Sequence, residues 1–256
     1  MQRLPLILFT SLLAGCDLIG ELAGYTNPTV MAATFLGVEA PDSELVDLTG
    51  TSFEGGAVAT VLLADAADLQ DVASAAIVGA KVELSLDGAD WRSFRDDADG
   101  KYILDEGLDY RAGMAVSIRV RDEGGEHGAE LAAPGALDVE LAPELEAGSD
   151  MVIRTEAQDI SLLGVVVLAT DSGEVVFDNR PISIEDVYDL THGGGSRAIE
   201  VPGVVFSRPG GYIVGVAGLA VSRESDLDNL NTTISALTVG TIRFYPVLVR
   251  GLEGEE

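Results

Sequence analysis

Residues 80–86 read AKVELSL, with Ala80, Val82, Leu84 and Leu86 alternating against Lys81, Glu83 and Ser85. In an extended chain successive side chains point to opposite faces, so a period of two marks a strand with one apolar and one wetted face. Residues 114–121, MAVSIRVR, repeat the pattern: Met114, Val116, Ile118 and Val120 face in, while Ser117, Arg119 and Arg121 face out. Half-buried strands of this kind predict an antiparallel sheet, because parallel sheets bury both faces.

Working outward, TVMAATFLGV (29–38) and AVATVLLA (57–64) are apolar runs that read as buried strands. Between them and AKVELSL, residues 65–76, DAADLQDVASAA, place Leu69, Val72, Ala73 and Ala76 at helical spacing behind Asp65, which predicts one short helix. Downstream, residues 136–150 close a strand at Leu137, Val139 and Leu141, then reach Pro143, acidic residues and Gly148, a composition that suits a domain boundary. Beyond it DMVIRTE, LLGVVVLAT, EVVFDN, GYIVGVAGLAVS and TIRFYPVLV are separated by Gly-, Pro- and Asn-rich turns, the pattern of a second sandwich. The expected fold is all-β, with antiparallel β-sandwich domains at 29–142 and 149–250.

The first alternating strand opens with GAKVEL (79–84), and DADGKYIL (97–104) and YRAG (110–113) follow before the second. This order resembles carboxypeptidase regulatory-like domains and their transthyretin-like relatives over roughly residues 55–142, which implies a small β-sandwich. In the second half, VVFSRPGGYIVGV (204–216) resembles the late hairpin of immunoglobulin-like and polycystic-kidney-disease-type domains. Tyr212 is expected to hydrogen-bond across the sandwich, since buried tyrosine hydroxyls find partners. Trp91 and Phe94 are expected in the core or at the sandwich edge.

The amino terminus carries a different signal. Met1, Gln2 and Arg3 precede the uncharged apolar run Leu4–Ala14, the layout of a secretory signal peptide. At about 1.5 Å per residue this run spans roughly 16 Å, about half a bilayer's hydrocarbon core, so a transmembrane helix is disfavoured. It ends in Leu13, Ala14, Gly15 and Cys16 and resembles the lipobox of bacterial lipoproteins. The resemblance implies removal of residues 1–15, acylation of Cys16 and a tether over 16–28. A thiol suits thioether formation, and several acyl chains anchor stably where one does not. The implied location is the cell envelope, at the outer membrane or the periplasmic face of the inner membrane.

Removing residues 1–15 leaves 256 − 15 = 241 residues and, with Arg3 gone, changes the net charge from −28 to −29. Such a chain repels nucleic acid, whose recognition needs clustered Lys and Arg. The 47% hydrophobic content supports packed cores. Cys16 is the only cysteine, so no internal disulfide contributes.

Motifs for catalysis are sparse. His192-Gly193-Gly194-Gly195 matches the oxyanion loop of some esterases, but no serine has the G-x-S-x-G context. The only histidines are His127, within a GGEHG turn, and His192, too few for a zinc centre. Hard oxygens do cluster: Asp96, Asp97 and Asp99 beside Gly100 form a candidate calcium site, and Glu224, Asp226, Asp228 and Asn229 a second. Neither has EF-hand spacing, and Asp-Ala-Asp-Gly is also turn chemistry. The expected function is a membrane-anchored envelope lipoprotein with a structural, adhesive or accessory binding role, without catalysis, whose partner is an envelope protein or glycan. Its rivals are a lipid-tethered hydrolase using carboxylates and a ligand-delivery module for a membrane transporter.

Overall fold

The run at 29–38 forms strand β1 (Thr29–Val38), paired antiparallel with β2 (Gly56–Asp65) along its full length. The computed structural model describes residues 29–40, 55–66, 75–179 and 197–251. Cys16, the tether, the His-Gly-Gly-Gly loop and most of the expected helix lie outside the described residues. At the end of that helix, Ala76 makes an antiparallel bridge to Ala64.

The alternating segments become β3 (Lys81–Leu86), β7 (Ala115–Asp122) and β8 (Gly125–Ala132). Short strands β4 (Arg92–Ser93), β5 (Arg95–Asp96) and β6 (Lys101–Leu104) lie between β3 and β7. The remainder are β9 (Val139–Glu140), β10 (Glu144–Glu146), β11 (Met151–Thr155), β12 (Leu162–Ala169), β13 (Val175–Asp178), β14 (Ala198–Val201), β15 (Gly210–Val221), β16 (Leu227–Asp228) and β17 (Ala236–Arg250). The all-β expectation holds. Among the described residues helical geometry is confined to short pieces such as the 3-10 turns Gly203–Phe206 and Glu224–Asp226.

These strands form one large sheet, β13-β12-β15-β17-β1-β2-β6-β5 with β10 also on β17, and two smaller sheets, β16-β8-β7-β3-β4 and β14-β11-β9. The large sheet is mixed: β17 pairs in parallel with β1 and with β10, and antiparallel with β15. One core holds Met31, Phe35, Val61, Leu84, Ile118, Leu237 and Val239; another holds Met151, Ile153, Val165, Val214, Val247 and Val249. Leu237, Val239, Val247 and Val249 all lie at odd positions of β17, so both cores sit on the same face of the shared sheet. Leu137, Val139 and Leu141 pack with the second core.

Strand β17 passes from one core to the other by changing partners. Its parallel pairing with β1 ends at Ile242, and that with β10 begins at Leu248. The Leu248 amide donates to the Pro143 carbonyl, so even-numbered amides point to that side; Pro246, which has none, sits in the unpaired interval. In the same region Gly37 accommodates the Tyr110 ring. A Cβ at Gly37 would lie 2.5 Å from the Tyr110 Cβ, while the Tyr110 hydroxyl donates to the Pro134 carbonyl at 2.8 Å and pins the crossing chain.

Tyr212 differs from expectation in its partner. Its hydroxyl donates 2.9 Å to the carbonyl of Arg208, four residues upstream, rather than across the sandwich. The ring meets Phe206 edge-on at 5.3 Å, so the turn before β15 is closed locally.

Candidate binding face

The outward side of the five-stranded sheet is built by the alternation that opened the sequence. Register places Lys81 opposite Arg121 and Arg121 opposite Glu126; Glu83 opposite Ser93 and Arg119, and Arg119 opposite Gly128; Ser85 opposite Ser117, and Ser117 opposite Glu130. Opposed residues share a face, so these side chains form a polar grid above the apolar layer of Val82, Leu84, Val116 and Ile118.

Glu83 is its hub. Although it points away from the core, it is only 5% exposed. Lys81 Nζ lies 2.7 Å from Oε1, and Arg119 reaches Oε2 through Nη2 at 2.8 Å and Nε at 3.2 Å. Arg121 Nη1 stands 3.6 Å away and donates from Nε to Glu126 Oε2 at 2.7 Å. The Lys81 hydrogen bond, opposed by burial and aided by Arg119, holds the Glu83 carboxyl below its ordinary range. Arg121 does the same to Glu126. Both are therefore fixed acceptors rather than proton donors.

Trp91 covers this hub. The Asp87–Gly88 turn, with φ of 52° and 72° and an Ala89 amide donating to the Leu86 carbonyl, folds the chain back from β3 towards β4. Asp87 also accepts from the Ala115 amide at 2.8 Å and from Arg111 Nη2, fixing the hairpin to β7. The returning chain sets Trp91 with the Arg119 guanidinium carbon 4.1 Å from its ring centroid. One indole face is thus occupied and the side chain remains 39% exposed. Of the two expected places, core or sandwich edge, Trp91 takes the edge, beside terminal strand β4, whereas Phe94 packs partly buried against the first core.

The acidic loops are organised by backbone. Asp96 accepts from the Gly79 amide at 3.1 Å and the Ala98 amide at 2.9 Å, and Asp97 lies 3.9 Å from Lys101 Nζ. Asp99 occupies the left-handed turn with Ala98 and Gly100. In the second loop Asp226 accepts from the Arg223 amide at 2.7 Å, and Glu224 from the Thr232 hydroxyl at 3.3 Å. Among the described residues no group of three or more His, Cys, Asp or Glu side chains converges in a way that could hold a metal ion.

His127 lies within β8 rather than in a turn, and its side chain is 2% exposed. Its Nδ1 is 2.5 Å from the Asn229 carbonyl, and its Nε2 3.1 Å from Asp122 Oδ1 and 3.4 Å from Thr29 Oγ1. Asp122 Oδ1 also accepts from the Gly124 and Gly125 amides. This knot ties the β7–β8 turn to the start of β1.

The outward residues Glu83, Arg119 and Arg121 were visible in the sequence by alternation, but their convergence depends on the pairing of β3 with β7. No family model matches the chain, and no curated protein matches it.

Proposed function

We propose that this protein is a lipid-anchored component of a bacterial envelope, acting as a structural, adhesive or accessory binding protein rather than as a catalyst, and that the outer face of the five-stranded sheet is its contact surface. The observation that carries the binding role is Trp91, exposed and stacked on an Arg119 that is itself held by nearly buried Glu83. An exposed tryptophan costs unfavourable hydration, and its guanidinium support keeps the indole preoriented.

Anchoring rests on Leu13-Ala14-Gly15-Cys16 behind a short apolar run, and the tether 16–28 would set the sandwich off the lipid surface. Expressed with its full leader, Cys16→Ser should move the protein from the membrane to the soluble fraction. Retention of that variant in washed membranes would exclude the lipid anchor.

A further inference from the structure

We infer that the Trp91 face binds a neutral oligosaccharide, an inference that rests on reading this face as the contact surface. On β3, β7, β8 and β16 the face carries three cations, Lys81, Arg119 and Arg121, against four carboxylates, Glu83, Glu126, Glu130 and Asp228, so 3 − 4 = −1, close to balance on a chain of net charge −28. A patch this close to balance offers little field to attract a polyanion or polycation.

Among the described residues of this face Trp91 is the one aromatic. Its row continues through Ser85 and Ser117, and Gly128 leaves a gap beside Arg119. A protein partner's anchor normally sits at an interface centre depleted of Lys, Glu and Asp. Here a stacking platform is ringed by fixed donors and acceptors, which fits a ring that has C–H bonds on its faces and hydroxyls around its edge. The Arg119 cation behind the indole already draws on the ring's negative face, which disfavours a cationic ligand on the other side.

The extent of the face suggests a chain of sugars. From Trp91 across β3 and β7 to Glu130 is three strand spacings, roughly 14 Å. Trp91 and the Arg121–Glu126 pair can therefore contact different rings of one ligand.

Trp91 is the sole tryptophan, so intrinsic fluorescence of the intact protein in detergent reports on this face alone. Titration with hexamers of cellulose, chitin and maltose should give a saturable change in emission with at least one. Calorimetry with that hexamer should show affinity weakened about tenfold or more by Trp91→Ala, as for other tryptophan anchors, and less by Trp91→Phe. An unchanged circular dichroism spectrum would separate lost binding from lost fold. Silence with all three hexamers, undiminished binding by Trp91→Ala, or tighter binding of an anionic oligouronate would overturn the inference. A photo-crosslinking residue in place of Ser93, activated in cells, should capture polysaccharide. Capture of a protein there would overturn the glycan assignment and leave the contact surface standing, whereas capture of neither would remove both.

Discussion

Glu83 concentrates the residue-scale physics of the polar face. Its carboxylate is almost out of water yet stays charged because Lys81, Arg119 and Arg121 surround it, and a buried charge is tolerable only when paired and hydrogen-bonded. Since its folded titration lies below the unfolded value, its stabilisation is complete above the unfolded carboxyl range and is lost as pH falls through the lower folded value. Glu83→Gln should therefore cost roughly 1.5–3 kcal/mol near neutrality, the worth of hydrogen bonds to a charged group. The gap in melting temperature between variant and wild type should close in acid. A gap that stays constant from pH 7 to pH 2 would show that the charge is not responsible.

Thr241 presents the opposite case. Its Oγ1, on a side chain facing the junction of the two cores, is buried with no hydrogen-bond partner among the described residues. An unsatisfied buried hydroxyl costs about 1–3 kcal/mol, and valine has nearly the same shape. Thr241→Val should raise the melting temperature, read by differential scanning calorimetry; a lower value would mean that the hydroxyl has a partner in solution.

At the scale of elements, β17 and its neighbours show how sequence details permit a strand to serve two cores. Pro246 is tolerated in a long strand because its position has no partner to which an amide could donate. Gly37 is needed because Tyr110 lies directly on its backbone and reaches on to Pro134. Gly37→Ala should overpack this site by about 1–3 kcal/mol, and the penalty should shrink in a Tyr110→Gly background, which removes the Cβ as well as the ring. Urea midpoints of the four proteins in the cycle would test the coupling, and equal penalties in both backgrounds would refute it.

The whole molecule inherits its coupling from the shared sheet. Leu237 and Val239 serve one core and Val247 and Val249 the other, so β17 links their stabilities. Far-ultraviolet circular dichroism and Trp91 fluorescence should follow one coincident unfolding transition, since Trp91 reports the five-stranded sheet while the dichroism averages both cores. A chain ending at residue 148 would lack β17 and leave β1 without its parallel neighbour, exposing an apolar strand edge. That truncation should be insoluble or unfolded. A well-dispersed amide spectrum from it would show that the first core stands without β17.

Much of this was legible in the chain itself. Alternation in AKVELSL and MAVSIRVR fixed which residues point inward, because backbone pleating imposes a period of two irrespective of partner, and the runs at 29–38 and 162–170 were legible as strands because short, unbroken apolar segments suit strands buried on both faces. The lipid anchor at Cys16 is a proposal that rests on the linear segment Leu13-Ala14-Gly15-Cys16 alone. The place of Trp91 was not legible, because whether an aromatic at the end of a hairpin turns into the core or over a neighbouring arginine depends on where Arg119 lies on another strand. Likewise Leu137 packs with residues far beyond it in the chain, and Glu83 meets Arg119 through a register 36 residues apart. Local sequence thus determined the strands, their faces and the acidic, cysteine-poor character of the protein. Only tertiary structure decided that β17 would join two cores in one sheet and that Glu83, Arg119 and Trp91 would stack, because pairing free energy depends on contacts between segments distant in sequence.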